Sequence, residues 1–238
     1  MNKCVKNLKQ KLFCLCLAGL LFSCGTYPPG SVPVWAVGAH GETARSETAQ
    51  PAAARPEVAR LTGGEAESRF QIPEYIMGRG FLSAQKKAAF LLNGNPGADV
   101  DFAHSLAVIY LEEAALEGVN SDIAFAQMIL ETGFLRFGNL VTPQMNNFAG
   151  LGSIGPGQHG LWFPDARTGV RAHIQHLKAY ASTAPLNQPL VNPRFRFVRR
   201  GSSPTIGGLA GTWAADPLYA HKIRDILMRM YTFADFVI

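Results

Sequence analysis

The sequence predicts a mostly α-helical (α+β) domain with a small Gly-rich β-hairpin lobe, carried behind an export leader and a low-complexity spacer. Apolar residues recur at helical spacing in several segments after about residue 83, each bounded by a capping residue or a glycine. Between Gly150 and Gly169 that pattern stops, and glycines with scattered Trp162 and Phe163 suit a hairpin or irregular lobe. All four cysteines, Cys4, Cys14, Cys16 and Cys24, fall in the leader. The remainder therefore has no disulfide framework and no thiolate metal site, and its fold must rest on an apolar core.

Lys3, Lys6, Lys9 and Lys11 make a positive start, and Leu12 to Phe22 form an apolar run too short to span a bilayer as a helix. Residues 1–24 read as an export signal of lipoprotein type, with Leu21-Phe22-Ser23-Cys24 as a loose lipobox. Lipidation of Cys24 would tether the protein to a membrane surface. Phe22 is bulkier than such signals usually carry, and the alternative is cleavage near Val37-Gly38-Ala39, leaving a soluble secreted protein. The expected location is the cell envelope, as a periplasmic or outer-surface anchored lipoprotein, or otherwise outside the cell. The formal charge of +5 includes the four leader lysines, so about +1 remains after processing. No nucleic-acid partner is expected, and the chain reads as a monomer.

Residues 25–68 are rich in Ala, Pro, Glu, Thr and Gly and cannot bury enough apolar surface to offset chain entropy, so they read as a disordered spacer. Residues 69–99 follow as a helical arm, with a helix from about Ser83 to Leu92 capped by Ser83. The compact domain is expected over residues 100–238. Asp101 caps a helix to about Glu117, with Phe102, Leu106, Ile109 and Leu116 at helical spacing and Gly118 as a left-handed stop. Ser121 caps a second helix, Asp122 to about Glu131, which Gly133 ends. After the lobe, Thr168 or Asp165 caps a helix from about Gly169 to Ser182, with Val170, Ile174, Leu177 and Ala181 on one stripe. A last helix runs from about Pro217 to Phe236.

Glu131 closes the second helix behind Met128, Ile129 and Leu130. The negative end of the helix dipole and the apolar neighbours both oppose ionisation there, which suits a carboxyl group that must hold a proton until a reaction takes it. A solvated glutamate at a helix end is the plainer alternative.

The segment Ala124-Phe125-Ala126-Gln127, then Glu131-Thr132-Gly133, then Arg136-Phe137-Gly138 and Asn146-Asn147-Phe148-Ala149-Gly150-Leu151-Gly152, resembles the peptidoglycan glucosaminidases of glycoside hydrolase family seventy-three. Gly169 to Leu177 and Trp213-Ala214-Ala215-Asp216-Pro217-Leu218-Tyr219 to Ile223 carry the resemblance onward, so it covers residues 100–238. It implies a lysozyme-like fold, hydrolysis of the β-1,4 bond after N-acetylglucosamine in cell-wall peptidoglycan, and no metal or organic cofactor. By the same resemblance Glu131 is the catalytic acid, and Asn146, Asn147 and Phe148 form the sugar-binding loop. Turn chemistry for the two asparagines and core packing for Phe148 are the alternatives. Where many relatives carry Tyr-Ala-Thr-Asp, this chain has Trp213-Ala214-Ala215-Asp216. Trp213 can stack on a sugar but lacks a phenolic hydroxyl, a duty that would pass to Tyr219.

A second catalytic group is not evident. A retaining enzyme needs a carboxylate about 5 Å from the acid, and an inverting one about 6.5–9.5 Å away. Asp165 is the only carboxylate in the Gly-rich lobe, and Asp216 a more distant candidate. A substrate-assisted route, using the substrate's own acetamido oxygen, needs neither. Lytic transglycosylase activity on the same polymer and a non-catalytic glycan-binding lipoprotein are the rival functions.

His173 and His176 stand three apart on a helix with His159 upstream, but they diverge by about 60° and no metalloprotease pattern is present. Arg194-Phe195-Arg196-Phe197 and Arg199-Arg200 interleave charge and aromatics. In an exported protein these suit an anionic wall polymer or a solvated loop whose Phe195 and Phe197 face the core.

Overall fold

The computed structural model describes residues 71–138, 140–153 and 159–236. The expected leader, Cys24 and the spacer lie outside the described residues. The α-helices among the described residues are α1 (Ala84–Gly94), α2 (Val100–Glu117), α3 (Ser121–Thr132), α4 (Ala166–Ala181) and α5 (Tyr219–Phe236). This is the helix-rich, lysozyme-like architecture expected. No helix among the described residues is long and apolar enough to cross a membrane.

The helix ends follow from local chemistry. Ser83 accepts a hydrogen bond from the Lys86 amide and starts α1. Asp99, rather than Asp101, caps α2 by accepting from the Phe102 amide at 2.7 Å. Asn120, rather than Ser121, caps α3, its Oδ1 accepting from the amides of Asp122 and Ile123. Either member of each pair satisfies the orphan amides of a first turn. At the other ends Gly118 and Gly133 adopt left-handed backbone, with φ of 72° and 57°, as the sequence predicts.

α3 is the central element. Residues Ser121 to Ile129 and Thr132 are all buried, so it is enclosed on every side rather than striped. α2 packs on α1, α3 and α4, while α5 packs on α1 and α3. The buried face of α2 differs from the expected stripe. Leu106 is buried, but Phe102 and Leu116 are exposed, and Tyr110, Glu113 and Glu117 take the inner positions. The inner stripe of α4, Val170, Ile174, Leu177 and Ala181, is buried as expected.

Residues 71–99 are not a separate arm. Ile76, Ala88, Phe90 and Leu91 join the same apolar cluster as α3 and α5. Ile76 hydrogen-bonds through its amide to Pro204 and through its carbonyl to Asn120. A buried ion pair welds the joint: Lys87 Nζ lies 2.6 Å from Asp122 Oδ1, with both side chains wholly buried. Asp122 also accepts from the amides of Phe81 and Leu82 and from the Tyr231 hydroxyl. Its lone pairs are thereby filled, the condition under which a buried carboxylate is tolerated.

The expected β-hairpin is not found among the described residues of the Gly-rich segment, and residues 154–158 at its middle lie outside them. A buried amide does the work of a strand ladder instead. Asn147 Nδ2 donates to the carbonyls of Leu151 and Leu161, and its Oδ1 accepts from the Leu151 amide. The lobe sits tightly on α4. A Cβ at Gly169 would lie 1.8 Å from the Asn146 carbonyl oxygen, so only glycine lets the first turn of α4 approach this loop.

Candidate active site

Glu131 occupies the last turn of α3 and is half-buried. Directly after it the chain makes a left-handed turn: Gly133, Phe134 and Leu135 have φ of 57°, 59° and 61°. Left-handed backbone costs roughly 1–2 kcal/mol for each non-glycine residue, so the turn must be held from outside. Thr132 provides one clamp, its hydroxyl donating to the Met128 carbonyl and accepting from the Leu135 amide. Asn95 Nδ2 provides another by donating to the Phe134 carbonyl at 2.8 Å. Strained backbone sustained by its surroundings marks functional sites more often than plain surface.

Two donors converge on one oxygen of Glu131. Trp213 Nε1 donates to Oε1 at 3.1 Å, and the Tyr219 hydroxyl donates to the same atom through a shorter contact. Behind Tyr219 the bonding continues inward. Gln127 Nε2 donates to the Tyr219 hydroxyl oxygen at 2.8 Å, and Gln127 Oε1 faces His173 Nε2 at 2.9 Å. Because that amide oxygen can only accept, His173 carries its proton on Nε2. Its Nδ1 then accepts from the Tyr110 hydroxyl at 2.9 Å.

Every bond in this row, from Tyr110 through His173, Gln127 and Tyr219, donates toward Glu131. The row stays uncharged. Burial pushes His173 down to about 3, with His176 adding a smaller like-charge effect, and burial raises the Tyr110 hydroxyl well above its usual value. A neutral row of aligned donors inside a low-dielectric core presents a fixed partial positive charge to the carboxylate at its end.

The other expected site residues fall into two groups. Tyr219 directs its hydroxyl at Glu131 itself. Trp213 does not offer a stacking face: it is buried, with His173, His176 and Tyr180 around its ring at 5.7, 5.0 and 5.6 Å between centroids. Its contribution to the site is the indole N–H. Phe148 is 1 % exposed and packs among Phe102 and Phe137, so core packing accounts for it rather than sugar stacking. Asn147 is consumed in pinning the lobe. Asn146 is half-buried in left-handed backbone, and its Nδ2 holds the Phe163 carbonyl at 3.1 Å.

Neither candidate second carboxylate contacts Glu131. Asp165 is the N-cap of α4, accepting from the Thr168 amide at 2.7 Å. Asp216 is bonded to Lys222, which chiefly holds it below the usual carboxylate range, and it also accepts from the Leu218 amide. The two histidines both border Trp213 but have separate hydrogen-bond partners. His173 enters the donor row, whereas His176 Nδ1 bonds Asn192 Nδ2 at 2.8 Å. Among the described residues no cluster of three or more His, Cys, Asp or Glu is placed to hold a metal ion.

Gln127, His173 and Tyr110 as a row were missed from sequence. The available signal was Gln127, a lone amide in an apolar helix one turn before Glu131 and on the same face.

The arrangement is that of a half-buried acid with one oxygen fixed by two donors. The glucosaminidase family model, described as mannosyl-glycoprotein endo-beta-N-acetylglucosaminidase, matches residues 107–232. That span begins within α2 and ends within α5, and it contains the whole donor row. An uncharacterized protein of Borreliella burgdorferi is 40% identical over 166 residues, which cover 70% of this chain and 81% of the relative. No solved structure matches. A family match over more than half of the chain shows that the chain belongs to the glucosaminidase family of glycoside hydrolases.

Proposed function

We propose that the protein hydrolyses the β-1,4 bond after N-acetylglucosamine in peptidoglycan, with Glu131 as the general acid. The observation that carries this reading is the convergence of Trp213 and Tyr219 on Oε1 of Glu131. With Oε1 accepting two hydrogen bonds, the transferable proton belongs on Oε2. Once that proton has passed to the leaving oxygen, the charge left behind is met by donors already in place, so no reorganisation is required during the reaction.

With Asp165 and Asp216 tied to local roles, the substrate-assisted route is favoured. The acetamido carbonyl oxygen attacks the anomeric carbon as the glycosidic C–O bond breaks, and the leaving oxygen takes the Glu131 proton. Water then opens the resulting ring, returning a proton to Glu131. Export through the leader, with tethering at Cys24, would bring the domain to its polymer.

Incubation with purified peptidoglycan and analysis of the new ends tests the reading. Reducing N-acetylglucosamine ends are expected. Anhydro-muramic ends would instead make the protein a lytic transglycosylase, and no release would make it a binder. Glu131→Gln should lower release by about 10²–10⁴-fold while binding persists, and activity retained in that variant would sink the assignment.

A further inference from the structure

The cations of the domain are distributed unevenly between paired and unpaired. Lys87, Lys178, Lys222, Arg171, Arg224 and Arg229 each lie within 4.0 Å of a carboxylate. Arg194, Arg196 and Arg199 take part in no ion pair among the described residues, yet they fall within six residues of one another. Arg196 and Arg199 are exposed and Arg194 is half-buried. Phe197 is 60% exposed, not core-facing as expected, and the guanidinium groups of Arg194 and Arg196 stand 5.0 and 4.8 Å from its ring centre. A cation–π contact holds each of these two guanidinium groups near the ring without occupying its N–H fork, so less rotamer entropy is lost when an oxyanion arrives.

This strap is also registered to the catalytic centre. Asn192, wholly buried, accepts from the Arg194 amide and bonds His176 through its side-chain nitrogen. Burial pushes His176 down to about 3, and the nearby charge of Arg194 acts in the same direction. The His176 ring lies against Trp213, which donates to Glu131. Beside the strap opens a groove of about 410 Å³, bordered by Leu190, Asn192, Thr168 and the exposed ring of Trp162.

In an intact wall strand the lactyl carboxyl groups of the muramic units are tied up as amides to the peptides, so the sugar backbone itself gives arginines nothing to neutralise. The carboxylates of a wall strand are on the peptides it carries. We propose that Arg194, Arg196 and Arg199 form a subsite for the carboxylate-bearing peptide stem of the strand, gripping it beside the bond that Glu131 addresses. This inference rests on the peptidoglycan reading above. It adds to that reading that peptide-bearing strands are preferred over bare ones.

Binding can be read without catalysis, in full-length protein carrying Glu131→Gln, by co-sedimentation with peptidoglycan and with the same material stripped of peptides by an amidase, the lactyl carboxyl groups so freed being capped as neutral amides. The stem-bearing polymer should be bound roughly five- to tenfold more tightly, as expected for two or three charge-assisted contacts at a surface. Raising salt should erase the preference. Arg196→Gln combined with Arg199→Gln should bring the ratio close to one, and Arg79→Gln, an exposed arginine outside the strap, should not. A ratio unmoved by the double variant, or lowered as much by Arg79→Gln, would overturn the subsite. Failure of the unaltered protein to release any ends would count against the hydrolase reading alone, because the binding ratio still reports on the strap.

Discussion

Two polar systems cross the same interface between α2 and α4, and they differ in charge and in where they end. At one end Glu113 meets Arg171 and Arg167, and Glu117 meets Lys178 at 2.7 Å. At the other end Tyr110 meets His173, both neutral, and the bonding runs on through Gln127 and Tyr219 to Glu131. The charged system is closed: Glu117 also accepts from the amides of Asn187 and Gln188, and Glu113 from the Gln188 side chain. The neutral system terminates on a half-buried carboxylate. Closed charge fixes helices against one another, whereas neutral donors add no second full charge beside the carboxylate at their end. One interface therefore serves both as a weld and as the backing of a site.

The charged end gives the largest expected loss of stability. Lys178→Ala leaves Glu117 buried without its cation, and removing one partner of such a pair costs about 3–5 kcal/mol. The two backbone amides on Glu117 place the expected value at the lower end. Release of wall fragments per folded molecule should be little changed, since this pair does not touch Glu131. Denaturant unfolding and a specific-activity assay measure the two quantities, and a loss of activity without a loss of stability would erase the distinction between weld and site.

The neutral end should respond in the opposite sense. Tyr219→Phe removes a donor from Glu131, and about 10²-fold in turnover is expected from losing one preorganised hydrogen bond of this kind. Gln127→Leu breaks the row one bond further back. It should lower turnover by a smaller factor, with KM little altered, because the row touches the acid rather than the substrate. Equal effects on KM and turnover would show that the row shapes the cleft instead of the carboxylate.

Acid separates the two ends by the pH at which each fails. His173 and His176 have values near 3 in the folded protein, below the unperturbed 6.5, so below pH 6.5 the unfolded chain binds protons that the folded chain refuses. Their contribution to stability is complete above 6.5 and falls toward pH 3, at about 1.4 kcal/mol per pH unit for each histidine. Glu113 fails later. Burial raises it, but hydrogen bonds from Arg171, Gln188 and Arg167 outweigh that and lower it below 4.5, so its contribution is lost only as pH falls beneath that value. Unfolding free energy that stays flat between pH 6.5 and 5 would mean that the neutral histidines are not held as the geometry implies.

The parts of this comparison that were legible in sequence are those written locally. Gly118 and Gly133 stop helices where their left-handed backbone requires, and the stripe of α4 faces inward as its spacing indicates. Caps were displaced by one or two residues, since Asp99 and Asp101, or Asn120 and Ser121, are equivalent to a first turn. The face of α2 was misread because Glu113 and Glu117 are buried only by cations that α4 and its neighbours bring from more than fifty residues away. Glu131 was legible through its helix end and motif. Its supporting row was not, since Tyr110, Gln127 and His173 sit on three different helices and no spacing joins them. Trp213 and Phe148 show the converse: an aromatic ring in a site motif can be there for its N–H or its volume, and only burial distinguishes these from a stacking face.

Asp165 gives the smallest effect and the sharpest test of how many carboxylates the reaction uses. Its side chain caps α4, and exchange of such a residue for alanine costs about 1 kcal/mol. α4 carries His173, so slight loosening of the row should lower turnover by no more than a few-fold. A catalytic base or nucleophile would behave differently, with losses of about 10²-fold or more in turnover. Asp165→Asn separates the cases further, because an amide oxygen still caps a helix but neither attacks an anomeric carbon nor takes a proton from water. Near-normal release by Asp165→Asn, with stability close to that of the unaltered protein, is the expected result. It would leave the substrate's own acetamido group as the favoured partner of Glu131, whereas a severe loss would return the second role to the protein and place a carboxylate at the far side of the cleft.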